Sequence, residues 1–271
     1  MGFFFRTYRL LNILSIDVAA GAVISSLFFA RILSVSVLPQ GLMALGLTVW
    51  AIYTADHLVD AKRIKQTAST ERHRFHQTHF KALCVLLAVA LLADAVLVFS
   101  IREIVFINGF VLGVGVLVYF LVQNYLKWLK ELTGALLYAG GVLLIPLSMT
   151  EKNLATAQLL LLTQFVLVAL INLLLFSWID LQQDKRDRHA SFATTMGNSR
   201  TRNLLVILFS TQLILFFVQL MLGEMAIQLI LLSMNILLFA IFAKRHYFEK
   251  DGRYRLLGDA VFFLPLIYFF L

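Results

Sequence analysis

Charge is scarce in this sequence. Asp, Glu, Lys and Arg together make up 14% of its 271 residues, against about a quarter in ordinary soluble chains. Water is therefore excluded as its main solvent. Cysteine is almost absent too: Cys84 stands alone, so no internal disulfide can form, and its place at the start of an apolar run reads as a buried, inert thiol. The first apolar run, about 10–33, has no convincing small-residue cleavage site and is too long for a signal-peptide core, so it reads as a first membrane helix. Paired helices broken by Gly or Pro are also lacking, which counts against an alternating-access transporter despite the intramembrane acids.

The residues that dominate are apolar, 61% of the chain, and they fall into long runs instead of alternating with polar ones. Nine segments approach the roughly 20 residues a helix needs to cross a bilayer: 10–33, 38–55, 82–101, 104–124, 132–150, 155–179, 203–222, 225–243 and 256–271. The last is the shortest. The expected fold is an all-α polytopic membrane bundle of about nine transmembrane helices, with 1–271 forming a single domain and a pseudo-repeat of 1–130 and 131–271.

The formal charge of +8 would suggest nucleic acid in a soluble protein, but here it has a simpler cause. Nine alternating spans put 20 Lys and Arg residues on one side and leave only Arg31, Arg102 and Lys152 on the other. The positive-inside rule makes the crowded side cytoplasmic, with the N-terminus there and the C-terminus outward. An integral, multi-pass protein of the cell (inner) membrane is expected, surrounded by membrane lipids and with no nucleic-acid partner.

Two connections on the basic side run to about 25 residues, 56–81 and 180–202, whereas connections on the other side are short. Long loops in a compact protein are commonly functional. The first opens Asp56-His57-Leu58-Val59-Asp60-Ala61-Lys62-Arg63 and the second Asp180-Leu181-Gln182-Gln183-Asp184-Lys185-Arg186. Both read Asp-x-x-x-Asp followed by two bases, after the second and sixth spans, which marks an internal repeat. On a helix continuing past the membrane edge, residues four apart share a face, so each pair offers two carboxylates one turn apart. Asp56, Asp60, Asp180 and Asp184 around one small space would repel unless cations neutralised them. Magnesium fits best, because it takes one or two carboxylates and completes its shell with water and substrate phosphate. Lys62, Arg63, Arg72, Arg74, Lys127, Lys130, Lys185 and Arg188 are the bases placed to hold the remaining phosphate charge.

These stretches resemble the UbiA superfamily of intramembrane prenyltransferases, nine-helix bundles with aspartate-rich loops after helices two and six. Asp180 to Gly197, ending Thr194-Thr195-Met196-Gly197, is similar to that family's second motif. Asp56 to Arg74 is similar to its first motif and the Arg-rich segment beyond. Tyr125-Leu126-Lys127-Trp128-Leu129-Lys130 is similar to the basic stretch between helices four and five.

The resemblance implies magnesium-dependent transfer of an isoprenyl group from a prenyl diphosphate to a lipophilic acceptor, an aromatic one among the candidates. The loop 62–80 would close over the site and exclude water. Asp56, Asp60, Asp180 and Asp184 would be the catalytic metal ligands. The family's third acid, three residues before each pair, is Tyr53 in the first motif and Ser177 in the second, with Ile52 where Asn is usual. Tyr53, Asn124 and Asn172 complete the candidate substrate-binding set. Asp187 reads as a surface ion pair.

Two relatives of this reading keep the fold: a terpene cyclase, in which the cation attacks an internal double bond, and an inactive lipid-binding protein. His73, His76 and His79 also raise a metalloenzyme, although phosphate contact or a solvated helix face suits their basic segment better. Among intramembrane polar residues, Asp17, Asn124, Asn172 and Asp259 are expected near an acceptor pocket and Asp94 away from it. Gly113, Gly115, Gly140 and Gly141 are expected to let helices approach closely.

Overall fold

The computed structural model describes residues 3–151 and 153–271, with the side chains of Phe3, Phe4 and Asn124 and all of Lys152 outside the description. Every regular element in the described residues is helical. Seven helices are long and apolar enough to cross a membrane: α3 Pro39–Arg63, α5 Phe80–Leu97 with its short 3-10 extension to Ser100, α6 Glu103–Leu126, α7 Lys130–Ser148, α8 Thr156–Ile179, α11 Asn198–Leu220 and α12 Met225–Ala243. An eighth span arises if the bent pair α1 Phe3–Ile13 and α2 Ile16–Ile32 counts as one. Short helices fill the connections: α4 Glu71–Thr78, α9 Leu181–Asp187, α10 Phe192–Met196 and α13 Arg245–Glu249.

Two of the nine expected segments differ from an uninterrupted helix. The run 10–33 turns by 83° between α1 and α2, at Ser15, which takes a left-handed φ of 56°. Polar contacts set that corner. Asn12 donates to Asp17 at 2.6 Å and to Asp259 at 2.8 Å, so the chain turns where three buried polar side chains must meet. The segment 256–271 is not one α-helix. It forms α14, Arg253–Ala260, followed by a ten-residue 3-10 helix, Val261–Phe270, containing Pro265. Proline has no N–H for the α-helical ladder. The 3-10 form rises about 2.0 Å per residue against 1.5 Å in an α-helix, so the extension covers more length per residue than an α-helix would.

α5 and α6 carry the most lipid-facing surface, with Leu92 69% and Leu121 77% exposed. α8 is central, burying Phe165, Ile171, Leu174 and Leu175 completely or nearly so. Phe165 packs edge-on to Phe29, centroids 4.9 Å apart, and Phe262 meets Tyr138 at the same separation. The C-terminal segment is held tightly against this core by two glycines. A Cβ at Gly21 of α2 would lie 2.8 Å from Phe262 Cβ, and one at Gly258 of α14 would lie 2.6 Å from both Asn172 Oδ1 and Phe176 Cε1 of α8. These two approaches bring the last segment against α2 and α8. Gly113 and Gly141, expected at close helix approaches, are instead open: a Cβ at either would have nothing within 4 Å, and one at Gly115 or Gly140 would meet only leucine side chains at ordinary contact distance.

Candidate functional site

The C-terminal ends of α3 and α8 bring the two acid pairs to one cavity. Asp56 and Asp60 lie on the last two turns of α3, one helical turn apart. Asp180 is the residue at which α8 ends and α9 begins, and the Asp184 amide donates to the Asp180 carbonyl at 2.9 Å, which keeps this pair one turn apart across the junction. All four line a cavity of about 600 Å³, a size typical of ligand pockets, roughly 300–1,000 Å³.

The acids are not equivalent. Asp60 is 4% exposed, with Lys130 Nζ at 4.0 Å and Arg63 Nη1 at 3.7 Å. His189 Nδ1 lies 3.7 Å from the same carboxylate while its other nitrogen lies 3.1 Å from Lys130 Nζ. Burial and the neighbouring Lys130 push the His189 imidazole down to about 3, so it faces Asp60 as a neutral ring. Asp180, 2% exposed, has both oxygens engaged: Tyr254 donates to Oδ1, and Arg255 Nη2 donates to Oδ2. Asp56 Oδ1 is buried without a partner among the described residues. Burial, reinforced by the Asp180 charge, raises the Asp184 carboxyl to about 7.

Tyr53 and Ser177, three residues before each acid pair, also face the cavity. Tyr53 packs edge-on to His57, centroids 6.3 Å apart. Ser177 Oγ accepts from the Ala193 amide at 2.9 Å and so ties α8 to α10. Glu131 at the start of α7 also lines the cavity; its Oε1 accepts from the Phe192 amide at 2.7 Å while Oε2 is buried without a partner.

The expected bases divide into two groups. Lys130 and Arg72 line the cavity, but Arg72 is committed elsewhere, donating to the Asn12 carbonyl and side chain, each at 3.0 Å, and to Asp259 at 3.3 Å. Lys62, Arg63, Arg74, Lys127, Lys185 and Arg188 are not in the cavity wall. Arg63 flanks Asp60 from outside, and Arg74 donates to the carbonyls of Ala68 and Ser69 at 3.1 and 2.9 Å, bracing its own loop. The others are exposed: Lys62 two residues beyond the second acid of its pair, Lys185 one residue beyond the second acid of its own, Lys127 at the turn after α6 and Arg188 at the turn after α9. The loop after α3 is braced against the helix ends that carry the acids. Gln77 donates to the carbonyls of Ala61, Ile64 and Gln66, and Asp187, expected in a surface ion pair, instead accepts from the Ser69 hydroxyl at 2.7 Å.

Asn172 is in the cavity wall with a buried Oδ1 that has no partner among the described residues; the side chain of Asn124, also expected near the acceptor pocket, lies outside them. Asp259 lines the cavity and Asp17 does not. Asp94, expected to be remote, lines the same cavity and accepts from Thr48 at 2.6 Å: the cavity runs from the acid pairs deep between α3, α5, α6 and α7. Gly113 and Gly141 line it, so their missing side chains leave open volume. Of the three spaced histidines, His73 is in the wall, His76 is 1% exposed beneath it with Nδ1 2.9 Å from the Arg72 carbonyl, and His79 stacks on Phe75. No three His, Cys, Asp or Glu side chains among the described residues converge as a metal set. A magnesium ion does not require that convergence, since phosphate oxygens complete its shell. The buried, unpartnered oxygens of Asp56 and Glu131 suit such an ion.

Arg255, His57 and His189 are cavity residues that sequence reasoning missed. His57 sits between the motif acids with both ring nitrogens buried and unpartnered, and its place in the motif is the signal that could have found it. Arg255 gives no local signal.

The architecture matches solved structures of a UbiA homolog from Archaeoglobus fulgidus. The form bound to DMAPP and Mg2+ aligns with a TM-score of 0.63 at 14% identity, covering 95% of this chain and 98% of that one. The form bound to GPP and Mg2+ gives 0.63 at 13%, covering 96% and 99%, and the form bound to Cd2+ gives 0.57 at 16%, covering 97% of each. No protein-family model and no curated protein sequence matches the chain.

Proposed function

We propose that this chain, which has the polytopic fold of those UbiA homolog structures, is an intramembrane prenyltransferase acting on a prenyl diphosphate at its basic, cytoplasmic face. One observation carries the reading: a single cavity joins both aspartate pairs at its mouth to an apolar interior reaching Phe106, Phe110 and Leu112. That is the shape needed for a ligand with a highly charged head and a hydrocarbon tail. The relatives' ligands, DMAPP and GPP with Mg2+, have this form.

In the reaction, the bond between the allylic carbon and the diphosphate oxygen breaks, and diphosphate leaves with the electron pair. The acceptor's nucleophile then bonds to the allylic carbon and releases a proton. Magnesium, when bound, supplies positive charge to the departing diphosphate. Asp56, with its oxygen unpartnered among the described residues, would be its first ligand, with Asp60 one turn on; Asp180 and Asp184 face the same cavity from the second pair. Lys130 meets the same leaving charge from α7. Tyr138, Phe176 and Phe262 line the cavity and would shelter a carbocation from water. Arg72 and His73 of α4 line the cavity, where they would limit the entry of bulk water.

The test is release of diphosphate from labelled prenyl diphosphates by the purified protein with magnesium, with and without a lipophilic aromatic acceptor. Label appearing on the acceptor supports transfer. Release with label only in a cyclised hydrocarbon indicates the cyclase instead.

A further inference from the structure

The two acid pairs are repeats of one another, and each could hold one magnesium against a diphosphate. Their surroundings differ. On the first, Asp56 keeps a buried oxygen without a partner among the described residues, and Lys130 and Arg63 approach Asp60 only to 4.0 and 3.7 Å. On the second, Asp180 is already neutralised by a cation that belongs to the chain. Arg255 reaches it from α14 through Nη2, and Tyr254 from the preceding position donates to the other oxygen. The guanidinium is held from several directions: Nε donates to the Tyr254 hydroxyl at 3.1 Å, and its carbon lies 5.4 Å above the Phe176 ring. Nη1 has no hydrogen-bond partner among the described residues, and Arg255 lines the cavity.

This placement depends on the C-terminal segment. Gly258, one turn beyond Arg255, touches Asn172 and Phe176 so closely that a side chain would not fit, and this brings α14 within reach of the end of α8. A guanidinium is planar, permanently charged and shaped to grip two oxygens at once. It can hold a carboxylate with one edge and phosphate oxygens with the other.

We propose that Arg255 takes the place of a metal ion at the second aspartate pair, binding diphosphate directly while neutralising Asp180, so that the site holds one magnesium, on the Asp56 side. The inference rests on the prenyl-diphosphate reading and deepens it. It also fits the loss of acids at Tyr53 and Ser177, since a site with fewer carboxylates and a built-in cation needs fewer metals.

Metal stoichiometry tests it without turnover. The full-length protein in detergent or nanodiscs would be titrated with Mn2+ by electron paramagnetic resonance, in the presence of a non-cleavable thiolodiphosphate analogue of a prenyl diphosphate. One analogue-dependent Mn2+ per chain is expected. Two would overturn the assignment of Arg255 while leaving the diphosphate site intact. Binding of neither analogue nor metal would overturn both it and the proposed function. As a second measurement, Arg255→Gln should weaken the analogue by about tenfold or more, the scale of a lost charge-assisted hydrogen bond, and Arg255→Lys should recover part of that. An Arg255→Gln protein that binds analogue and a single Mn2+ as the parent does would also contradict the proposal.

Discussion

Arg72 and Asp259 form an ion pair at 3.3 Å in which both side chains are 7% exposed. It joins α4, in the loop after α3, to α14, near the other end of the sequence, and Asn12 of α1 completes the contact. The loop carrying α4, which contributes Arg72 and His73 to the cavity wall, is thus clamped to the first and last segments. Breaking one partner of a buried pair strands the other and costs about 3–5 kcal/mol. Asp259→Ala should therefore lower thermal stability in detergent strongly. The double variant Arg72→Met with Asp259→Leu should recover much of the loss, because no buried charge remains. If Asp259→Ala melts with the parent, the pair does not clamp the loop.

Gly258 supplies a second structural test. Its Cβ would overlap Asn172 Oδ1 and the Phe176 ring, both on the cavity wall. Gly258→Ala should push α14 from α8 and cost about 1–3 kcal/mol, the usual scale of overpacking. It should also weaken diphosphate-analogue binding, because Arg255 moves with α14. Unchanged stability and unchanged analogue affinity together would contradict this role for the contact.

Much of the site was legible in the sequence because it is local. Asp-x-x-x-Asp at the end of an apolar run places two carboxylates on one helical face whatever the surroundings, and both pairs indeed reach one cavity. The bundle of long helices was legible for the same reason: the length of an apolar run and the thickness of a bilayer fix it. Features set by distant contacts were not. The corner at Ser15 lies inside a run that reads as continuous, and only the meeting of Asn12 and Asp17 with Asp259 turns it. Arg255 looks like one more base in a basic connection until α14 packs on α8. Lys62 and Lys185 share a stretch of sequence with the acids but are exposed outside the cavity, a distinction that spacing alone resolves poorly at helix ends.

Gly113 and Gly141 predict how long a donor the cavity takes. Each faces open volume within it. Gly113→Phe should fill that volume and reduce use of longer prenyl diphosphates about tenfold relative to the shortest, the scale of a few methylenes excluded from an apolar pocket. Competition between donors of different length, read by product mass, measures the ratio. An unchanged preference would mean the tail lies elsewhere.

Asp56→Asn retains size and removes the carboxylate with the unpartnered oxygen. It should lower magnesium-dependent diphosphate release by about 100-fold or more, as expected for loss of a major electrostatic element of the reaction, with helicity and melting unchanged. Lys62→Gln and Lys185→Gln, whose side chains are exposed outside the cavity, should stay within about twofold, consistent with solvent-screened surface charges. Equal losses in all three would mean that the charge of the whole face, rather than the cavity, governs the reaction.

The most direct measurement of the proposed prenyl transfer is diphosphate release from labelled GPP by the purified chain in lipid nanodiscs, with magnesium and then with excess chelator. Release is expected to require magnesium, to be lost in Asp56→Asn, and to leave the prenyl label on an organic-soluble product. Absence of release across prenyl chain lengths, by a protein that is folded and magnesium-supplied, would contradict it.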